Sequence, residues 1–233
     1  MVAIVEQESR SRGVSKRFSS HFPDDRLAFE FLAAQGYTVL NVDYKGSRGY
    51  GRESRTSVYR QVGGPDLDSV LAGVEFLVTR HHVDRKRIGI YGHSYGGFLT
   101  VMALLKHPGV FAAGAALAPV AAHAHNPALH FATQMLNVPW RDDEADRGSS
   151  PIYFADRLQD RLLILQGVVD SSVPFQDSLR LVQRFIEFKK TGWDLAVYPV
   201  ESHVPREETS RLDIERRRFA LWESVLKAAP AKR

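Results

Sequence analysis

Short apolar runs alternate with amphipathic segments along most of the chain. Five runs have the length and the β-branched or apolar content of buried strands, at 37–44, 87–91, 111–117, 162–166 and 194–198. Five other segments have apolar residues at helical spacing, at 25–35, 66–79, 95–106, 175–189 and 210–227. Strands that alternate with helices predict a parallel sheet covered by helices. Because no repeat, low-complexity tract or linker interrupts the 233 residues, we expect one domain over 1–233.

The most specific local pattern surrounds Ser94. The sequence Gly92-His-Ser-Tyr-Gly96 lies between a predicted strand and a predicted helix. In that context a G-x-S-x-G frame is typical of a nucleophile elbow, a sharp turn that lifts the serine hydroxyl above the carboxyl end of the sheet. Glycine at 92 and 96 lets the two backbones approach closely. Ser94 is therefore predicted to be an exposed nucleophile, against the alternative of a glycine-rich turn with a bystander serine.

Two further polar residues follow later strands, and a parallel sheet would bring both to the same edge as Ser94. Asp170 follows the fourth predicted strand, and His203 follows the fifth. Taken singly, they could be a turn aspartate and a surface-loop histidine. Together they supply the base that a serine needs and the acid that orients this base, in the chain order of α/β-hydrolases. His93 is expected to pack or to make a local hydrogen bond, because the turn should aim it away from the Ser94 hydroxyl.

The composition and spacing of residues exclude several kinds of site and of segment. The chain has no cysteine, so disulfides, thiol nucleophiles and cysteine-ligated metals are excluded. His123, His125 and His130 lie close together in sequence, but no carboxylate occurs at a recognised metal spacing, and we expect no metal and no cofactor. The apolar run 111–122 is too short to span a bilayer, and 2–5 is too short for a signal-peptide core. As given, the chain would be cytoplasmic, and periplasmic if its N-terminus is incomplete.

The charge pattern does not indicate a nucleic-acid partner. The net charge is +4, and much of the arginine excess lies at 206–218. Acidic residues are interleaved with these arginines, so the segment is predicted to be a solvated helix face with ion pairs at helical spacing. No base-reading motif or alternation of aromatic and basic residues accompanies it. We therefore expect no binding to nucleic acid and none to membranes.

Motifs spread over nearly the whole chain carry a family resemblance. They are DYKGSRGYG at 43–51, GGPDLD at 63–68, GHSYGG at 92–97, SPIY at 150–153 and the loops that contain Asp170 and His203. From about residue 14 to residue 227 the chain resembles the catalytic domain of the prolyl oligopeptidase family, near its dipeptidyl peptidase IV-like and acylaminoacyl peptidase-like branches. The resemblance implies an α/β-hydrolase fold, with a mostly parallel twisted sheet and helices on both faces. It also implies a serine peptidase that acts on peptides or acylated peptides.

The roles of the site residues follow from this chemistry. Ser94 would attack the scissile carbonyl, His203 would accept and return the proton, and Asp170 would hold the imidazole, with an acyl-enzyme as intermediate. The backbone N–H of Tyr95 is expected to donate to the oxyanion. Three aromatic residues are candidates for the substrate pockets, with core packing as the alternative for each: Phe131, Trp140 and Tyr153.

Two departures from the family pattern concern the N-terminal part. A large β-propeller usually precedes the hydrolase domain, and the chain as given lacks it. Residues 1–13 form a divergent N-terminal segment, in which 6–13 stand where relatives have a His-Gly-rich segment that shapes the oxyanion hole. Losing one oxyanion donor lowers the rate by about 10²- to 10³-fold. The sheet of the family also has a central strand before this segment, and only residues 2–5 could supply it.

Three functions therefore stay open after the sequence analysis. The first is a serine peptidase whose partner is a peptide or acyl-peptide substrate. The second is a carboxylesterase-like hydrolase, because an open site could admit small esters. The third is a non-catalytic relative that acts as an interaction module, which the altered oxyanion segment motivates. The oligomeric state is left open.

Overall fold

Six parallel strands form one sheet. The computed structural model describes residues 2–7, 23–47, 49–125 and 143–227. The strand order is β2-β1-β3-β4-β5-β6, and every neighbouring pair is parallel. The strands are β1 Val2–Gln7, β2 Tyr37–Asn41, β3 Ile88–His93, β4 Ala113–Leu117, β5 Arg161–Gly167 and β6 Trp193–Tyr198. The five strands predicted from the sequence are confirmed, with their ends shifted by a few residues.

The N-terminal strand, β1, lies between two other strands of the sheet. In β1, Ile4 is paired with Val39 of β2 on one side and with Gly89 of β3 on the other. Residues 2–5, the one candidate for this position, therefore do supply an interior strand, which lies beside β3 and is the second from the edge of the sheet. From β1 the chain runs outward to β2 and then returns past β1 to β3, so the strand order reverses between β1 and β3. Ligand sites in open α/β sheets form above the carboxyl ends of the strands at such a reversal.

Helices connect the strands. They are α1 Pro23–Ala34, α2 Gly51–Thr56, α3 Pro65–His81, α4 Tyr95–Lys106, α5 Asp143–Ser149, α6 Phe175–Glu187 and α7 Glu208–Leu226, with 3-10 helices at His123–His125 and Pro151–Arg157. The five helices expected from apolar spacing are present. Helices α2 and α5 and the two 3-10 helices of the described residues were not predicted, because elements of three to seven residues are too short to establish a period. No helix of the described segments is long and apolar enough to cross a membrane.

The two faces of the sheet pack against different helices. In β5 the side chains alternate, since Leu162 and Ile164 join one apolar core and Leu163 and Leu165 join the other. The first core contains buried residues of α3, α4 and α6, and the second contains those of α1 and α7. The expected cover of helices on both faces is therefore confirmed.

Helix α4 is apolar around its whole circumference, and Ser94 directly precedes its first residue. Every residue from Tyr95 to Leu105 is buried. A helix of this composition is stable only inside a core, and α4 packs against β3, β4 and the 3-10 helix Pro151–Arg157. The packing fixes the position at which the chain leaves β3 and enters the helix.

The prediction of a solvated helix face at 206–218 is wrong at Arg218. Ion pairs at helical spacing do occur, as between Arg217 and Asp213 at 2.6 Å. The Arg218 side chain, however, is only 5% exposed, and its guanidinium lies 3.8 Å from the centre of the Tyr91 ring. An arginine can cover an aromatic face in this way because its flat, weakly hydrated cation is attracted by the ring.

Candidate active site

Ser94 lies in a strained turn between β3 and α4. Its backbone has φ 59° and ψ −113°, outside the conformations that a non-glycine residue usually adopts. The Ser94 N–H donates to Leu117 O at 2.8 Å, and its C=O accepts from the N–H of Phe98 at 2.9 Å. A Cβ atom at Gly92 would lie 2.2 Å from the backbone of Gly96, so the turn requires glycine at 92. The side chain of Ser94 is partly exposed at the carboxyl edge of the sheet.

The structure brings Ser94, Asp170 and His203 into one chain of hydrogen bonds. Ser94 follows β3, Asp170 follows β5, and His203 follows β6. The distance from Ser94 Oγ to His203 Nε2 is 2.9 Å, and the distance from His203 Nδ1 to Asp170 Oδ2 is also 2.9 Å. The three residues are far apart in sequence, and they meet because parallel strands end at the same edge.

Asp170 is held as a buried carboxylate. Its side chain is fully buried, and Oδ1 accepts the backbone N–H groups of Ser172 at 2.8 Å and Val173 at 2.9 Å. Gln166 Nε2 donates to Oδ2 at 3.3 Å. Burial alone would raise the pKa of Asp170, but the hydrogen bonds from His203, Val173 and Ser172 and the proximity of the imidazole together lower it below the ordinary value. The side chain is therefore an anion at neutral pH.

The charge of Asp170 determines which nitrogen of His203 carries the proton. A carboxylate only accepts hydrogen bonds, so Nδ1 of His203 must be the donor. In the neutral imidazole Nε2 is then an acceptor, and the Ser94 hydroxyl donates to it. The His203 side chain is 21% exposed. In this arrangement the imidazole can take a proton from the serine hydroxyl.

Tyr95, the residue after Ser94, is anchored in the core by its side chain. Its hydroxyl donates to Asp66 Oδ2 at 2.5 Å, and its ring stacks on Tyr44 at 5.6 Å between centroids. Asp66 lies in the first turn of α3, is fully buried and also accepts the N–H of Gly63 at 3.1 Å. Burial raises the pKa of Asp66 although these donors counteract it, and burial also raises the pKa of Tyr95. Asp66 was not among the predicted site residues, and the only indication of its importance in the sequence is its place in the GGPDLD motif.

Of the three aromatic candidates for the substrate pockets, one lies within the described residues. Phe131 and Trp140 lie outside the described residues. Tyr153 lies in the 3-10 helix Pro151–Arg157 and is 44% exposed, with the Arg147 guanidinium 4.9 Å from its ring centre. Its part in substrate binding stays a prediction.

Of the three clustered histidines, His123 and His125 lie in the described residues, and His130 lies outside them. His123 is buried against Phe98, with 5.2 Å between ring centroids, and burial lowers its pKa to about 4. Within the described segments, no group of three or more His, Asp or Glu side chains could hold a metal ion. A cavity of about 380 Å³ lies between the loop before α3, the end of α4 and α5, and its lining does not include the triad.

Solved structures of other proteins share this architecture. The parallel sheet with a strained serine turn after β3 defines an α/β-hydrolase fold. Dipeptidyl peptidase 4 of Porphyromonas gingivalis has the same fold, with a TM-score of 0.86 and 28% identity over 97% of this chain and 31% of that one. An acylaminoacyl peptidase of Pyrococcus horikoshii matches in fold with a TM-score of 0.87, covering 100% of this chain and 38% of that one, at 23% identity.

The sequence comparison then places the chain in a family. The pattern of the prolyl oligopeptidase family matches residues 23–229, and the chain belongs to this family. It is 32% identical over 200 residues to the uncharacterized peptidase YuxL of Bacillus subtilis, a match that covers 79% of this chain and 30% of that protein. It is also 26% identical over 204 residues to inactive dipeptidyl peptidase 10 of Mus musculus, covering 87% and 25% of the two chains. The chain thus spans less than a third of the length of these relatives.

Proposed function

We propose that this chain is the catalytic domain of a serine peptidase that cleaves peptide bonds through an acyl-enzyme. The observation that carries the proposal is the hydrogen-bonded series Ser94–His203–Asp170 in a member of a peptidase family. Each component has the state that the chemistry requires. The serine donates to the imidazole, the imidazole donates to the carboxylate, and the carboxylate is ionised.

The proposed reaction begins with attack of Ser94 Oγ on the scissile carbonyl carbon. His203 Nε2 takes the hydroxyl proton as the Oγ–C bond forms, and Asp170 stabilises the resulting imidazolium. When the C–N bond of the tetrahedral intermediate breaks, the imidazolium returns the proton to the leaving amine. A water molecule then attacks the acyl-enzyme ester, with His203 again as base, and releases the acid and free Ser94.

The proposed oxyanion donor is the backbone N–H of Tyr95. Tyr95 is the first residue of α4, and the N–H groups of a first helical turn face outward, at the positive end of the helix dipole. Gln7, the last residue of β1, is paired with Gly92, two residues before Ser94. Residues 8–13, the rest of the segment that stands where relatives shape the oxyanion hole, lie outside the described residues.

The proposed substrate is a peptide or an N-acylated peptide. Two similar proteins are named for such substrates, dipeptidyl peptidase 4 of P. gingivalis and acylamino-acid-releasing enzyme 1 of Oryza sativa, which is 29% identical over 194 residues. A carboxylesterase-like hydrolase would use the same triad on a better leaving group. A non-catalytic role has the support of one relative that is named inactive.

Labelling with a fluorophosphonate tests the proposal. Purified folded protein is treated with the probe, and intact mass is measured for the wild type, Ser94→Ala and the control Ser224→Ala. Ser224 is a suitable control because its hydroxyl donates to Leu221 O within its own helix. We expect one adduct on the wild type and on the control, and none on Ser94→Ala. A folded wild type without an adduct would favour the interaction module.

Substrate turnover separates peptidase from esterase. Untreated protein from the same preparation is assayed with an aminoacyl p-nitroanilide, an N-acetylated form of it and a p-nitrophenyl ester. Turnover of an anilide, absent in Ser94→Ala, supports the peptidase. Turnover of the ester alone supports the carboxylesterase-like alternative, because an ester needs less stabilisation of the transition state than an amide does.

A further inference from the structure

The residue before the nucleophile contacts the residue of the catalytic base. His93 is the last residue of β3, and its Nε2 lies 2.7 Å from the backbone oxygen of His203. The two imidazole rings pack with 4.9 Å between centroids and 37° between planes. Because a carbonyl oxygen only accepts hydrogen bonds, Nε2 of His93 carries a proton and is the donor of this hydrogen bond. His93 thus contacts the peptide group of His203 as well as its ring.

His203 needs such a contact because its loop has no regular hydrogen-bond ladder. Residues 199–207 connect β6 to α7 without forming a helix or a strand. One end of the loop is held by Glu201, whose buried carboxylate accepts the N–H groups of Arg206 at 2.8 Å and Glu207 at 3.1 Å. These bonds tie the loop to the start of α7. The bond from His93 instead ties the centre of the loop to β3, which is the strand that carries Ser94.

We infer that His93 is a positioning residue for catalysis, an inference that rests on the proposed function. Adjacent residues hold His203 at two points, since His93 binds its backbone oxygen and Ser94 binds its Nε2. Because both residues lie at the same strand end, these bonds set the position of the base relative to the nucleophile. Misplacement of a catalytic group by about 1 Å can cost about 10²-fold in rate.

Two variants separate the hydrogen bond from the packing. His93→Phe keeps a flat ring against His203 but has no donor, and His93→Gln has no ring but can place an amide N–H near the position of Nε2. We expect His93→Phe to lower kcat on the p-nitroanilide, and the rate of fluorophosphonate labelling, by about 10- to 100-fold. KM should change by less than about 2-fold, because His93 acts through the base and not on bound substrate. His93→Gln should recover most of the lost rate.

His81→Phe is the matched control. His81 is an exposed histidine at the end of α3, packed on Phe76, so a phenyl ring can replace it without effect on the triad. The inference is overturned if folded His93→Phe labels and turns over at the wild-type rate, or if His93→Gln loses as much as His93→Phe. In the first case the hydrogen bond from His93 to His203 has no effect on the rate. In the second case the rate depends on the imidazole ring of His93 and not on its N–H donor.

A proton resonance makes the test independent of turnover. An imidazole N–H that is hydrogen-bonded to a carboxylate gives a resolved, strongly downfield signal, and here it would report the His203–Asp170 bond. We expect this signal in the wild type and in His93→Gln, and loss or exchange broadening in His93→Phe. A wild type that does not label overturns the proposed function, whereas an unchanged signal in His93→Phe overturns the inference.

Discussion

The hydroxyl of Tyr95 donates a hydrogen bond of 2.5 Å to Oδ2 of the buried Asp66, and this bond joins the first turn of α4 to the first turn of α3. Tyr95 is also the residue whose backbone N–H is proposed to bind the oxyanion. Its side chain is fixed in the core by this bond. An oxyanion donor works best when it is already in place before the charge develops. The Asp66–Tyr95 bond provides that support.

Tyr95→Phe should destabilise the protein. The substitution removes the donor but leaves a buried carboxylate with one bond fewer, which costs about 1 to 3 kcal/mol. For a protein of this size each kcal/mol lowers Tm by about 2 to 4 °C, which differential scanning calorimetry can resolve. Tyr59→Phe is the control, because Tyr59 is 52% exposed. Equal Tm values for wild type and Tyr95→Phe would mean that the bond contributes nothing to the fold.

Asp170→Asn should remove most of the activity and leave the fold intact. An asparagine amide can donate to His203 Nδ1, which stabilises the tautomer with its proton on Nε2, where it can no longer accept from Ser94. In serine proteases the equivalent change lowers kcat by about 10⁴-fold. The measurement is kcat on an aminoacyl p-nitroanilide together with a circular dichroism spectrum. Activity within 10-fold of the wild type would exclude Asp170 from the triad.

The same variant should change the pH dependence of stability. The folded protein lowers the pKa of Asp170 below its ordinary value of 3.8, so ionised Asp170 stabilises the fold above that pH. As the pH falls below 3.8 and passes through the lowered pKa, this contribution is lost. We therefore expect the difference in unfolding free energy between wild type and Asp170→Asn to be constant from pH 5 to 7 and to shrink below about pH 4. Urea titrations at a series of pH values measure it, and a difference that grows towards acid would contradict a lowered pKa of Asp170.

Gly92→Ala should prevent the nucleophile elbow from forming. The added Cβ would lie 2.2 Å from the carbonyl carbon and oxygen of Gly96, and neither backbone can move without displacing β3 or α4. We expect a loss of stability of about 1 to 3 kcal/mol or more, with fluorophosphonate labelling abolished. Gly148→Ala is the matched control, since a Cβ there meets nothing within 4 Å. Labelling of Gly92→Ala at the wild-type rate would mean that the turn tolerates a side chain.

The hydrogen-bonded partners of the site were far less visible in the sequence than the strands and helices that carry them. Strands and helices follow from apolar spacing, because a side chain's direction repeats every two or every 3.6 residues. Asp66 lies in the GGPDLD motif and Glu201 in the loop that contains His203, but neither stretch of sequence indicates that the carboxylate is buried. Arg218 lies among exposed arginines, and only the ring of Tyr91 beneath it distinguishes it.

By itself the sequence determined the alternation of strands and helices, the glycine turn around Ser94 and the order of the three candidate site residues, because each depends on neighbours along the chain. Only the tertiary structure decided that β1 lies between β2 and β3, that Tyr95 is anchored on Asp66, and that His93 holds the backbone of His203. Such contacts join residues as far as 110 positions apart. They depend on which strands become neighbours in the sheet, and no local periodicity records that choice.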